Sequence, residues 1–148
     1  SLSSDGTILA IGAYNNDGNG SNSGHVRVYS YANNSWTKLG NDIDGEAAGD
    51  YSGTHVSLSS DGTILAIGAT GNDGNGNNSG HVRVYKYANN SWTQLGADID
   101  GEAADDWSGY SVSLSSDGTI LAIGATGNDG NGINSKRSFP NGKQKIYA

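Results

Sequence analysis

Apolar and polar residues alternate along residues 53–59, GTHVSLS, which places Val56 and Leu58 on one side of the segment. Alternation with a period of two is typical of a β-strand with one buried face. The next segment, residues 63–69, reads TILAIGA and is almost entirely apolar. A short, continuous apolar run predicts a strand buried on both faces. An Asp-Gly pair lies between the two segments and predicts a tight hairpin.

Two more strands are predicted further along the chain. Residues 81–88, HVRVYKYA, alternate again, and an Asn-Asn pair separates them from a fourth strand, residues 91–99, which carries Trp92 and Leu95. The connector that follows, residues 100–109, is polar and acidic. No segment has a helical period, so the pattern predicts four consecutive antiparallel strands.

This pattern is repeated, because Ser1, Ser57 and Ser113 begin equivalent copies with a period of 56 residues. The first two copies differ at ten positions, which in first-copy numbers are 14, 15, 21, 30, 38, 41, 49, 51, 54 and 55. The third copy follows the second to residue 135 with one change, Asn77 to Ile133. Residues 141–148 then align with residues 79–86, which predicts the same third strand after a longer loop.

A repeated four-stranded antiparallel unit is typical of β-propeller blades, so the predicted fold is all-β. A sheet that is apolar on both faces must be covered by neighbouring sheets. The predicted blades are 1–56, with an incomplete first strand, then 57–112, and 113–148, without the last strand, in a single segment 1–148. Propellers have about four to eight blades. We therefore expect further blades, either from a longer chain or from association of several copies.

Composition excludes some partners. The net charge of −7 disfavours nucleic acid, which basic residues bind through phosphate. No apolar run approaches the roughly 18 residues of a membrane span, so membrane insertion is not expected.

Four motifs of the copies are distinctive: Trp107-Ser108-Gly109 before a strand with Ser111-Val112, Ile123-Gly124-Ala125 ending a second strand, Gly80-His81-Val82, and Trp92 in the fourth strand. Together they resemble the FG-GAP repeat, the repeat of the integrin α-subunit propeller. A weaker resemblance to WD-repeat blades lacks the usual Trp-Asp ending.

The FG-GAP resemblance implies a non-enzymatic binding or adhesion module, secreted or on the cell surface. Its ligand would be a protein or a glycan bound through the loops. The alternatives are a structural scaffold or self-assembling propeller without a dedicated ligand, and a lectin with repeated glycan sites. Blades of this family often carry an aspartate-rich calcium loop between the first two strands, but residues 59–62, SSDG, are too short for one here.

Calcium could instead bind the loop NDGNG, where carboxylate and amide side chains have the spacing that begins a calcium loop. The candidate ligands are Asp17, Asn19, Asp73, Asn75, Asp129 and Asn131. No glutamate follows at the twelfth position, so a purely structural loop is the alternative. The acidic connector 98–106 presents the same two alternatives: calcium ligands, or carboxylates that cap backbone N–H groups and pair with Arg27 and Arg83.

Aromatic side chains beside amides and carboxylates are typical of sugar-binding platforms. The candidate ligand-binding residues are Trp36, Trp92 and Trp107, with packing between blades as the alternative. His25 and His81 are expected to pair with acids rather than to bind metal, because no other ligand lies beside them in the sequence.

The sequence contains no nucleophile elbow, paired-histidine metal motif or phosphate loop. We therefore expect neither enzymatic activity nor any cofactor other than calcium.

Overall fold

The computed structural model describes residues 1–129 and the backbone of residues 144–147, and the described residues form strands and turns without a helix. Twelve strands lie within this described part: β1 (Ile8–Ala13), β2 (His25–Ala32), β3 (Ser35–Lys38), β4 (Ile43–Asp44), β5 (Ser52–Leu58), β6 (Ile64–Ala69), β7 (His81–Ala88), β8 (Ser91–Gln94), β9 (Ile99–Asp100), β10 (Ser108–Leu114), β11 (Leu121–Ala125) and β12 (Gln144–Tyr147). In the described part of the chain, no helix could span a membrane.

The strands form three antiparallel sheets, each drawn from one continuous stretch of chain. Sheet 1 contains β1 to β4, sheet 2 contains β5 to β9, and sheet 3 contains β10 to β12. An isolated bridge between Leu2 and Leu9 is all that sheet 1 has of a first strand. The all-β prediction is confirmed, and the sheets have the strand order expected of propeller blades.

The predicted fourth strand, residues 91–99, is divided into β8 and β9, and both pair with β7. The backbone of Gly96 has a positive φ of 73°, which bends the chain between the two strands. Sheet 2 therefore has five strands where the sequence pattern predicted four.

The sheets begin earlier than a count from Ser1 suggests, because β5 starts at Ser52 and β10 at Ser108. Sheets 2 and 3 thus open on the Ser-Gly pair that follows an aromatic residue, Tyr51 or Trp107.

The third strand of sheet 3 has the register expected from the aligned repeats. Tyr147 pairs with Leu121, and Tyr85 pairs with the equivalent Leu65.

Strand β6 is buried on both faces, as its apolar run predicted. Leu65 and Ile67 join one hydrophobic cluster with Ala10, Val26 and Val28 of sheet 1. Ala66 on the opposite face joins a second cluster with Val82, Val112, Leu121 and Ile123. The core consequently lies between the sheets, and sheet 2 is covered on both sides.

Candidate functional site

The loops of the predicted calcium ligands are held by their own side chains. The backbone N–H of Asn78 donates to Oδ1 of Asp73 at 2.8 Å, and the N–H of Asn22 donates to Asp17 in the same way. The side-chain amide of Asn75 donates to the carbonyl oxygens of Gly101 and Glu102 at 2.9 and 3.1 Å.

Asn19 makes the equivalent bonds to the carbonyl oxygens of Gly45 and Glu46. These contacts tie each loop to the next connector, which is the structural role that the sequence left open. Asp129 is exposed, and Asn131 lies outside the described residues. Calcium binding at these loops stays a prediction.

In the acidic connectors, several carboxylates cap backbone groups or pair with arginine. Oδ2 of Asp106 accepts the N–H groups of Glu102 and Ala103, both at 3.0 Å. Oδ1 of Asp98 accepts a hydrogen bond from Nε of Arg83 at 3.1 Å. Asp106 therefore caps backbone N–H groups and Asp98 pairs with an arginine, as the structural alternative predicted.

Trp36 and Trp92 occupy equivalent positions with different surroundings. Trp92 contacts Tyr87 with tilted rings whose centroids are 5.1 Å apart, and it packs against the cluster between sheets 1 and 2. Trp36 makes the same tilted contact with Tyr31 at 5.0 Å and is 44% exposed. Trp92 thus follows the packing alternative, while Trp36 lies on the open side of sheet 1.

Trp107 lines a cleft of about 170 Å³ at the junction of sheets 2 and 3. The other lining residues are Tyr51, Thr70, Gly71, Asn78 and Tyr110. Trp107 and Tyr110 are 46% and 52% exposed, so their rings are available to a ligand. We call this feature the aromatic cleft.

Two aromatic residues that line the cleft have an unusual backbone conformation. Tyr51 and Trp107 have positive φ angles of 54° and 52°, which are rare for bulky side chains. The register of β10 on β11 shifts between Ser108 and Ser111, and Tyr110 lies within this bulge. β5 has the same shift between Ser52 and His55, so the bulge is a feature of the repeat that redirects the side chains at this place.

The aromatic cleft is also where the nearly identical repeats differ. Five of the six lining residues have a counterpart in the first copy, and only Asn78 is unchanged there, as Asn22. The other counterparts are Tyr51 for Trp107, Thr54 for Tyr110, Tyr14 for Thr70 and Asn15 for Gly71. Four of the ten differing positions therefore belong to this one cleft. In the third copy, by contrast, Thr126 and Gly127 match Thr70 and Gly71.

A second site, which the sequence did not reveal, lies at the junction of sheets 1 and 2. Glu46 of the first connector meets His81 of β7 and Asp98, which precedes β9, with their ligand atoms all within 4.8 Å of one another. Arg83 pairs with both carboxylates. Burial lowers the pKa of the His81 imidazole, although the negative charges of nearby aspartates oppose this shift. Glu46 is distant from His81 in the sequence, so only the packing of the copies reveals the cluster.

Comparison with family models finds that residues 43–85 match the FG-GAP repeat. The matched residues run from β4 through β5 and β6 into β7. The match confirms the resemblance that the sequence motifs indicated. A search of curated proteins found no match.

Proposed function

Because residues 43–85 carry an FG-GAP repeat, we propose that this chain is a non-enzymatic binding module of a secreted or cell-surface protein. The ligand we propose is a carbohydrate, bound in the aromatic cleft between sheets 2 and 3. The observation that carries the proposal is that four of the ten differences between the first two copies lie at this cleft. The first two copies have therefore diverged where a ligand would touch the chain.

The chemistry of the aromatic cleft suits a sugar. The faces of Trp107 and Tyr110 supply flat apolar contact for the C–H groups of a pyranose ring. The side chain of Asn78 and the hydroxyl groups of Thr70 and the tyrosines supply donors and acceptors for sugar hydroxyls. At about 170 Å³, the cleft is smaller than the roughly 300–1,000 Å³ of drug-sized sites. We therefore expect it to hold one sugar unit of a longer glycan.

The junction of sheets 1 and 2, which we call the first junction, can be compared with the aromatic cleft at the second junction, between sheets 2 and 3. At the first junction Thr54 replaces Tyr110 and Tyr14 replaces Thr70, so an aromatic ring is lost at one position and gained at another, and Asn15 replaces Gly71. We expect the two junctions to differ in ligand, because their aromatic rings lie at different positions.

Glycan-array screening of the chain, followed by titration of each hit by tryptophan fluorescence, tests the proposal. Tyr110→Thr copies the first junction into the second and is expected to weaken binding about tenfold or more, because stacking on an aromatic face is lost. Trp36→Ala removes an exposed tryptophan outside the aromatic cleft and should leave the affinity unchanged. Equal losses in both variants, or binding of proteins alone, would contradict the carbohydrate proposal.

A further inference from the structure

We propose that Glu46, His81 and Asp98 form a binding site for a divalent transition-metal ion such as Zn²⁺, which would bridge sheets 1 and 2. This site is separate from the aromatic cleft and from the NDGNG loops. We call it the junction site.

The buried imidazole of His81 points to a ligand. The His81 side chain is 4% exposed, and among the described residues its Nδ1 has no hydrogen-bond partner. Oδ2 of Asp98 lies 3.7 Å from this Nδ1, which is too long for a hydrogen bond. Two ligands of a tetrahedral zinc ion, each about 2.0–2.2 Å from the metal, lie roughly 3.3–3.6 Å apart. The spacing of the two atoms therefore suits a shared ion better than a direct contact.

Glu46 reaches the junction site from the preceding copy on a fixed backbone. Its N–H donates to Oδ2 of Asp50 at 3.1 Å, and its carbonyl oxygen accepts a bond from the side chain of Asn19. The half-exposed side chain can adjust by the small distance that coordination requires. Solvent on this side can supply the remaining ligands, as in metal sites with few protein groups.

Arg83 and Gln94 hold the carboxylates around the junction site. Nε of Arg83 and the side-chain amide of Gln94 both donate to Oδ1 of Asp98, at 3.1 and 2.6 Å. These donors leave Oδ2 directed at His81. Groups that orient a ligand in this way typically change metal affinity by about 10–100-fold when they are removed.

The equivalent position in the first copy is a natural comparison because Lys38 replaces Gln94 there and donates to Asp42 at 2.9 Å. Arg27 and Lys38 therefore place two positive charges beside Asp42. In the junction site a single arginine faces Glu46 and Asp98. The local charge favours a cation at His81 and opposes one at His25.

Imidazole and carboxylate ligands together favour zinc and related transition ions over calcium, which takes six to eight oxygen ligands. Isothermal titration of the chelator-treated chain with Zn²⁺ and separately with Ca²⁺ tests this choice. We expect one Zn²⁺ per chain, with a shift of the His81 Nδ1 resonance in ¹⁵N-detected spectra. Binding of Ca²⁺ without Zn²⁺, or a shift at His25 in place of His81, would overturn the proposal.

Variants locate the ion. His81→Ala and Glu46→Gln are each expected to weaken Zn²⁺ binding about tenfold or more, and Glu46→Gln changes a half-exposed side chain without changing its size. Gln94→Lys introduces the charge of the first copy and should weaken binding as well. His25→Ala and Glu102→Gln, the matched changes one repeat away, should leave the affinity unchanged. Equal Zn²⁺ affinity in the Glu46→Gln variant and the original chain would refute the junction site.

Discussion

Nε1 of Trp92 donates a hydrogen bond to the carbonyl oxygen of Leu39 at 2.9 Å, across 53 residues of sequence. Trp92 belongs to sheet 2 and Leu39 follows β3 of sheet 1, so this bond joins two repeats. Trp92→Phe keeps an aromatic ring and removes the donor. We expect a loss of about 0.5–1.5 kcal/mol in the free energy of unfolding, because a partly buried carbonyl loses its partner. Urea denaturation followed by circular dichroism measures this loss.

Trp36→Phe is the matched control, since Trp36 occupies the same position in the first copy and is exposed. We expect it to change the unfolding free energy by less than about 0.5 kcal/mol, as exposed positions usually do. Equal effects at the two positions would mean that the bond to Leu39 does not stabilise the junction.

Two equivalent isoleucines, one in sheet 1 and one in sheet 2, also differ in burial. We expect their substitution to change the free energy of unfolding by different and larger amounts. Ile67 is 2% exposed between sheets 1 and 2, whereas Ile11 is 46% exposed on sheet 1. Ile67→Ala should cost about 2–5 kcal/mol, because it leaves a cavity in the core. Ile11→Ala should cost under about 1 kcal/mol, since much of that side chain already contacts water. If chemical denaturation gave the same cost for both variants, stacking of the sheets would not be what stabilises the fold.

A glycine permits a close approach of sheets 2 and 3. A Cβ atom added at Gly68 would lie 2.1 Å from the carbonyl oxygen of Gly109, in sheet 3. Gly68→Ala must therefore separate the sheets, and overpacking of this kind costs about 1–3 kcal/mol. Thermal unfolding of the purified variant would show the loss as a lower Tm.

Gly124 is the equivalent glycine one copy later and provides the control. A Cβ atom there would meet first the hydroxyl of Ser111, which can rotate away. Gly124→Ala should accordingly lower the Tm by much less than Gly68→Ala. A Gly68→Ala variant as stable as the original chain would contradict the close contact with Gly109.

The sequence predicted the strands because each one has a local signal. The alternation around Val56 and the apolar run of β6 depend only on neighbouring residues. The bend at Gly96 was missed, because the apolar residues on either side of it continue the strand pattern. The candidate sites were harder to predict, since each combines residues from different copies. Glu46 and His81 meet only because connector and strand pack at a junction.

The repeated Asp-Gly turns predict how stability changes in acid. In the turn of sheet 3, the hydroxyl of Ser115 donates to Oδ1 of Asp117 at 2.7 Å, and the N–H of Thr119 donates to the same oxygen at 3.0 Å. These bonds favour the ionised carboxylate and lower the pKa of Asp117 to about 2. The equivalent bonds lower the pKa values of Asp5 and Asp61.

A folded-state pKa below the unfolded value means that the ionised carboxylate stabilises the fold. This contribution is fully present above the unfolded pKa of about 3.9 and is lost as the pH falls through the folded value, about 2 for Asp117. We therefore expect the Tm to fall steeply between about pH 4 and pH 2, and less steeply in the Asp117→Asn variant, whose amide does not titrate. Carboxyl ¹³C chemical shifts measure the pKa of Asp117 directly. The pKa shift and the acid sensitivity arise from the same two hydrogen bonds. A titration midpoint of the Asp117 carboxyl group near that of an unfolded chain would therefore show that Ser115 and Thr119 do not stabilise its charge.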